Sequence, residues 1–313
     1  MAIPDPISRR LALQEGVAPH ELRGERWQRV CRGHYLPAHR VGELSATDRH
    51  LVAARAALDR LSSGAVISHV SAALAHDLPV WRLPIQKVHV TRNRASGARI
   101  AERLIVHAAH LEQGDVVQVD GLPVTSVART VVDLARSVPF AEAVVVGDAA
   151  LHTGRTTSAE LAELMSHTRS GRGLPAARRV VRFLDGRSES PGESLSRVVM
   201  AQAGLPMPEL QATVLDDLAR FVARVDFLFP DRGIVGEFDG MVKYRKTARA
   251  PESVVIAEKK REDALRALGW MVVRWTWPEL DRPRRWLAAL ERTNHVARTG
   301  TWHPAGAAVR RRR

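Results

Sequence analysis

Three acids, Asp226, Glu237 and Asp239, stand close together within Phe221 to Lys243, FVARVDFLFPDRGIVGEFDGMVK. Two runs rich in β-branched and aromatic residues, Val225 to Phe229 and Ile234 to Phe238, flank Pro230-Asp231-Arg232-Gly233, a strong turn signal. The pattern predicts a β-hairpin. Pairing Phe229 with Ile234 sets Phe227 against Gly236 and Asp226 against Glu237, and Asp239 then points the same way. Like charges opposed on a sheet repel, so three acids on one face imply a cation or a proton between them. A metal site is the natural hypothesis.

The elements that must position these acids are legible on either side of the hairpin. A small, polar stretch, Gly186 to Gly192, reads as a linker. Ser190-Pro191-Gly192-Glu193 then forms a capping box that opens a helix from Glu193 to Ala203, which by itself accounts for Glu193. Glu209 to Leu215 is a strand leading into the hairpin. Beyond Asp239-Gly240 come Lys243, Arg245, Lys246 and Arg249, then helical spacing from Ser253 to Leu268 with Gly269 as its stop. The apolar run Trp270 to Trp277, with Arg274 inside it, suits a buried strand, and a helix from Arg284 to Val296 closes the order. Trp270, Trp275 and Trp277 are expected in the core or at hydrogen-bonded edges rather than as base-stacking platforms.

Helix, three-stranded meander, helix, strand, helix resembles the core of the PD-(D/E)XK nuclease superfamily, and the local wording resembles its very-short-patch-repair-like endonuclease branch. The residues that carry the likeness are Glu193-Ser194, Val225-Asp226-Phe227, Glu237-Phe238-Asp239-Gly240, Arg261-Glu262-Asp263 with Leu268-Gly269, and Val272 to Trp275. The resemblance implies phosphodiester hydrolysis dependent on Mg²⁺, or Mn²⁺ in its place, with Asp226 and Glu237 as principal ligands, Asp239 as a further ligand and Glu193 in a second position or acting through water. The superfamily pattern ends in a Lys that serves the nucleophile; here that position is Asp239. Lys243, Lys259 and Lys260 are the replacements within reach along the chain.

Composition agrees with a nucleic-acid partner. The 313 residues carry a formal net charge of +13, which attracts phosphate backbones, DNA first and RNA not excluded. A membrane surface would call for a long basic amphipathic helix or a lipidation signal, and neither is present. A single cysteine, Cys31, excludes disulfides within the chain and cysteine-based zinc sites. With no signal peptide and no run of 18 apolar residues, the expected location is cytoplasmic.

The start of the chain reads as helix (Ile7 to Gln14), short helix (Pro19 to Arg23) and small hairpin around Arg32-Gly33 within Trp27 to Leu36. This outline, on GVAPHELRGERWQRVCRGHYLP, resembles the winged-helix domain that opens AbiEi-family antitoxins. That likeness implies DNA contact through Arg23 on the short helix and through Arg29 and Arg32 on the wing, with a place in defence or toxin–antitoxin biology. The middle of the chain alternates strand and helix patterns. Its histidines, His69, His76, His89, His107 and His110, follow no fixed ligand spacing, so core or surface roles are expected of them. Arg92, Arg94 and Arg99 are expected in a loop. The expected class is thus α/β (α+β). Residues 1–42 are the winged helix, 43–185 a mixed α/β, AbiEi-like middle domain, 186–300 a restriction-endonuclease-like core and 301–313 a basic tail, with Arg310 to Arg313 expected to be disordered. The alternative is a non-catalytic AbiEi-like antitoxin or regulator that keeps the nuclease fold as a scaffold.

Overall fold

The computed structural model describes residues 3–61, 64–168, 171–240, 252–298 and 308–310. The chain divides into two compact units, Met1–Leu184 and Asp185–Arg313. Both mix helices and sheets, so the class is α/β. Among the described residues no helix is long and apolar enough to cross a membrane.

The first unit opens with β1 (Ile7–Ser8), α1 (Arg9–Gln14), β2 (Trp27–Cys31), β3 (His34–Pro37) and α2 (Ala38–Gly42). The strands form a small antiparallel sheet in the order β1-β3-β2. Two expectations need correcting here. Ile7 and Ser8 are strand rather than helix, because Ser8 caps α1 by accepting a hydrogen bond from Leu11 N and the helix begins only after it. The short helix expected over Pro19 to Arg23 is a single 3-10 turn, Glu21–Arg23, which is too short to lie along a groove as a recognition helix.

The unit continues with α3 (Ala46–Arg60), β4 (Ala65–Ile67), α4 (His69–Ala75), β5 (Val88–Asn93), β6 (Arg99–Ile100), β7 (Leu104–Ala109), β8 (Val116–Val119) and β9 (Leu122–Thr125). A helical layer follows: α5 (Val127–Ser137), α6 (Phe140–His152), α7 (Ser158–His167) and α8 (Leu174–Phe183). The six strands order as β6-β7-β5-β4-β9-β8, with parallel pairs β4 to β9 and β5 to β7. Arg92 and Arg99 therefore stand on strands β5 and β6, not in the loop expected of them. Ile67, Val88, Val90, Val106 and Val124 pack with Ala54 and Ala72 as the core of this layer.

In the second unit α9 (Pro191–Gln202) precedes β10 (Glu209–Leu215), β11 (Phe221–Phe229) and β12 (Ile234–Asp239). Then come α10 (Glu252–Ala267), β13 (Met271–Thr276), α11 (Trp277–Leu280), α12 (Arg284–Arg298) and β14 (Ala308–Arg310). The sheet order is β13-β12-β11-β10-β14. The meander is antiparallel, and β13 returns parallel to β12 after α10, so a helix crosses over between them as parallel pairing requires. The hairpin has the expected register, Phe227 to Gly236 and Phe229 to Ile234, and Gly233 takes the left-handed turn position at φ +63°. Trp275 is fully buried, stacked between Phe227 and Trp286 with centroids 5.3 and 4.5 Å away, and its Nε1 donates to Ser196 Oγ at 2.7 Å. This ties the first helix to the sheet. Part of the basic tail also contributes, up to Arg310, a residue expected to be disordered: Ala308–Arg310 adds as an edge strand to β10, whose outer backbone groups would otherwise lack partners.

Candidate active site

Glu193 enters the site through its own helix cap. Its amide donates to Ser190 Oγ (3.2 Å), while its carboxylate accepts from Ser190 Oγ (2.7 Å) and from the Glu189 amide (2.9 Å). Ser190 thus caps the helix as the sequence indicates, but the Glu193 carboxylate closes on the Glu189 amide and the Ser190 hydroxyl rather than on the Ser190 amide, so the full capping box is not formed; the charge at the helix N-terminus is favourable. The same carboxylate has a second use. Gln211 Nε2, from β10, donates to Glu193 Oε2 at 2.9 Å and to Asp226 Oδ1 at 3.3 Å, so one amide joins the two acids. Asp226 Oδ2 accepts from the Phe238 amide at 2.9 Å, which fixes its orientation against β12.

Gln211 is held in turn. Arg224 Nε donates to Gln211 Oε1 at 2.7 Å, and Arg224 is ion-paired to Glu189. Gln211 sits inside a strand with φ +52°, a left-handed conformation costly for a residue with a side chain. The cost is borne at the one position whose amide reaches both acids. Burial, and then the nearby Glu193, push the Asp226 carboxyl up to about 6; Glu237 adds to the rise, and the Phe238 amide and Gln211 oppose it.

Glu237 is placed differently. Its buried carboxylate binds Arg261 Nη1 of α10 at 2.6 Å and Arg274 Nη2 of β13 at 2.9 Å. The sequence pointed to a cation among the acids, and at Glu237 that cation is a pair of guanidinium groups. Both arginines are shared outward: Arg261 with Glu258 at 2.6 Å, and Arg274 with Glu258 and, at 3.2 Å, with Glu262. Hydrogen bonds from Arg261 hold Glu258 below the usual carboxylate range, and the bond to Glu258, followed by that to Glu237, raises Arg261.

Asp239 ends β12 and is half-buried. Lys259 and Lys260 are exposed on α10, whose Arg261 is the residue that meets Glu237. Lys243 lies outside the described residues, as do Arg245, Lys246 and Arg249. In the first unit Arg23, Arg29 and Arg32 are all exposed, on the 3-10 turn, on β2 and at the hairpin tip.

Sequence reasoning missed Gln211, Arg224 and Glu189, because polar residues on and beside strands carry no spacing signal. It also passed over a second cluster. Among the described residues, one group of at least three metal-capable side chains has its ligand atoms within 4.8 Å of one another, and it is His69, His89 and His107 of the first unit. These residues come from α4, β5 and β7, so their distance along the chain gave no ligand pattern.

No family model matches the chain. Over 156 residues it is 35% identical to two Mycobacterium tuberculosis proteins, Uncharacterized protein MT2308 (strain CDC 1551 / Oshkosh) and Uncharacterized protein Rv2248 (strain ATCC 25618 / H37Rv). That match covers 50% of this chain and 55% of each relative, so the chain spans about half the length of the curated relatives it matches. It is also similar to the crystal structure of the RV2827C protein from M. tuberculosis, at 18% identity and a TM-score of 0.40, covering 66% of this chain and 78% of that one.

Proposed function

We propose that the second unit binds nucleic acid, DNA in the first place, and hydrolyses its phosphodiester bonds with a divalent cation held by Asp226 and Glu193. The observation that carries this reading is the joined acid pair. Two carboxylates share one amide donor, and one of them is pushed up to about 6 by burial and by the other's charge. Such a pair gains from a cation, and its all-oxygen donor set suits Mg²⁺ or Mn²⁺. When bound, the ion supplies charge for the non-bridging phosphate oxygens and a more acidic water.

The chain's own residues have distinct tasks in this reading. Gln211, braced by Arg224, orients both carboxylates. Asp226 is mostly ionised at pH 7 and so available as a ligand. Arg261 and Arg274, held by Glu237 and partly exposed, offer guanidinium donors to phosphate oxygens, the task that the superfamily gives to the lysine this chain lacks. Asp239 is a further oxygen donor at the end of β12. The net charge of +13 supports a phosphate-bearing substrate.

The test is cleavage of supercoiled, linear and single-stranded DNA, with RNA alongside, in Mg²⁺ or Mn²⁺. Asp226→Asn is expected to lower the rate by about 100-fold or more, as loss of a principal electrostatic group does. If the wild type cuts none of these substrates, or Asp226→Asn cuts as fast as the wild type, the hydrolase reading fails.

A second reading is favoured by the pairing of Glu237 with Arg261 and Arg274, which neutralises an acid the superfamily uses for metal. On that reading the chain is a non-catalytic regulator of AbiEi-like antitoxin type. Duplex binding would then weaken with Arg23→Ala or Arg29→Ala and be indifferent to Asp226→Asn.

A further inference from the structure

Three histidines of the first unit meet from three elements. His69 is the first residue of α4, separated from β4 by Ser68 alone, while His89 and His107 lie on the parallel strands β5 and β7. His89 Nδ1 and His107 Nε2 are 3.1 Å apart, and the His69 ring stacks on that of His107 with centroids 3.6 Å apart. His69 is buried and the other two are half-buried, so the cluster keeps a way to solvent.

From this geometry we infer that His69, His89 and His107 form a binding site for a divalent transition-metal ion of the zinc class, with the fourth position left to water or a small anion. Two nitrogen ligands about 2.05 Å from one tetrahedral ion are about 3.3 Å apart, close to the separation of His89 Nδ1 and His107 Nε2. An all-imidazole donor set selects zinc, copper or nickel over magnesium and calcium, which want oxygen. Entry of the ion replaces the His89 to His107 hydrogen bond and turns the stacked rings edge-on.

Two further features point to a ligand. His69 has φ +53°, and a left-handed non-glycine residue is strain of the kind retained at functional sites. Its Nδ1 lies 3.0 Å from Ser68 Oγ, which itself accepts from Thr91 Oγ1 at 2.8 Å, and both hydroxyl residues are fully buried. A tautomer that donates from Nδ1 to Ser68 leaves the Nε2 lone pair for the ion, the outer-sphere support that metal-bound histidines receive. Burial and the neighbouring imidazoles hold His69 well below its usual range, so its ring is unprotonated at neutral pH. Arg129, whose field reaches His69, is compensated by Asp115 and Asp133.

The experiment titrates the chelator-stripped full chain with Zn²⁺ by calorimetry and with Co²⁺ by visible absorption. The expected result is one equivalent per chain, a tetrahedral Co²⁺ band and a higher Tm with zinc. His89→Ala and His107→Ala should each weaken binding by about 100-fold or more, while His39→Ala, on α2, leaves it intact. Circular dichroism checks that the variants fold. For any that do not, protection of wild-type imidazoles from diethyl pyrocarbonate by stoichiometric zinc decides the matter. No uptake by the folded wild type, or wild-type affinity in a folded His107→Ala protein, overturns the inference. So does zinc binding lost on Asp226→Ala but kept in the histidine variants. None of these readouts depends on the hydrolase reading of the second unit.

Discussion

The two units contain charge-inverted triplets. In the first, one guanidinium lies between two carboxylates: Arg129 binds Asp115 at 2.6 Å and Asp133 at 3.0 Å. In the second, one carboxylate lies between two guanidiniums: Glu237 with Arg261 and Arg274. The side chains of the first triplet are 9, 10 and 6% exposed, whereas Arg261 and Arg274 are 26 and 33% exposed and also pair with Glu258, and Arg274 with Glu262. Similar ionic chemistry is sealed in one unit and left open in the other. A sealed triplet can only hold the fold together, while an open one can exchange an acidic partner for a phosphate.

The largest effect that tests this contrast is Arg129→Met. It leaves Asp115 and Asp133 buried without their cation and is expected to cost about 3–5 kcal/mol of unfolding free energy in urea melts. Arg274→Met should cost no more than about 1 kcal/mol, since its pairs are partly solvated and Arg261 still holds Glu237. It should instead weaken nucleic-acid binding and flatten its salt dependence by about one phosphate contact. Equal stability losses from the two substitutions would break the distinction between sealed and open.

Next in size is Gly192→Ala. A methyl group at Gly192 would come within 1.9 Å of the Phe238 ring, so α9 must move away from β12. Overpacking of this kind costs about 1–3 kcal/mol. Because Glu193 is the next residue and Phe238 supplies the amide that Asp226 accepts, the same methyl should pull the acid pair apart. In the second unit, then, cleavage should fall more than stability does. A variant with reduced stability and full cleavage would show that the pair tolerates displacement and would weaken its assignment as the site.

Much of the second unit was legible because its signals are local. The turn at Pro230 to Gly233 set the hairpin register, and Ser190 and Glu193 announced their cap three residues apart. What was hidden depends on how distant segments meet. Gly192 looked like part of a linker, whereas its lack of a side chain admits the Phe238 ring. Gln211 looked like an ordinary strand residue, and only its left-handed backbone and the convergence of α9 and β11 give it two acids to join. The histidines had no spacing pattern because β5 and β7 pair directly in parallel although β6 separates them along the chain, and α4 begins beside them. The partner of Glu237 followed from the crossover that sets β13 against β12, with Arg274 in register with Glu237.

The smallest effect concerns protons, and it should run in opposite directions in the two units. His89 and His107 are lowered to about 4 by burial, against 6.5 when unperturbed. Between those values the unfolded chain binds protons that the folded chain does not, so this contribution is complete above pH 6.5 and is lost as pH falls towards 4. Asp226 is raised to about 6 from 3.8, so the folded chain binds the extra proton. Its contribution is complete below 3.8 and is lost as pH rises through 6. Differences between the wild type and single variants isolate each group from the rest of the titration. Asp226→Asn, which keeps a neutral side chain at every pH, should gain about 1–2 kcal/mol on the wild type between pH 4 and pH 7 once partial solvation is allowed for. His107→Ala should close part of its stability deficit relative to the wild type as pH falls from 7 to 4.5, because the wild type alone loses the contribution of that imidazole. Urea melts at pH 4.5, 6 and 7 measure both differences. If they shift in the same direction, burial is not setting the protonation of one of the two clusters.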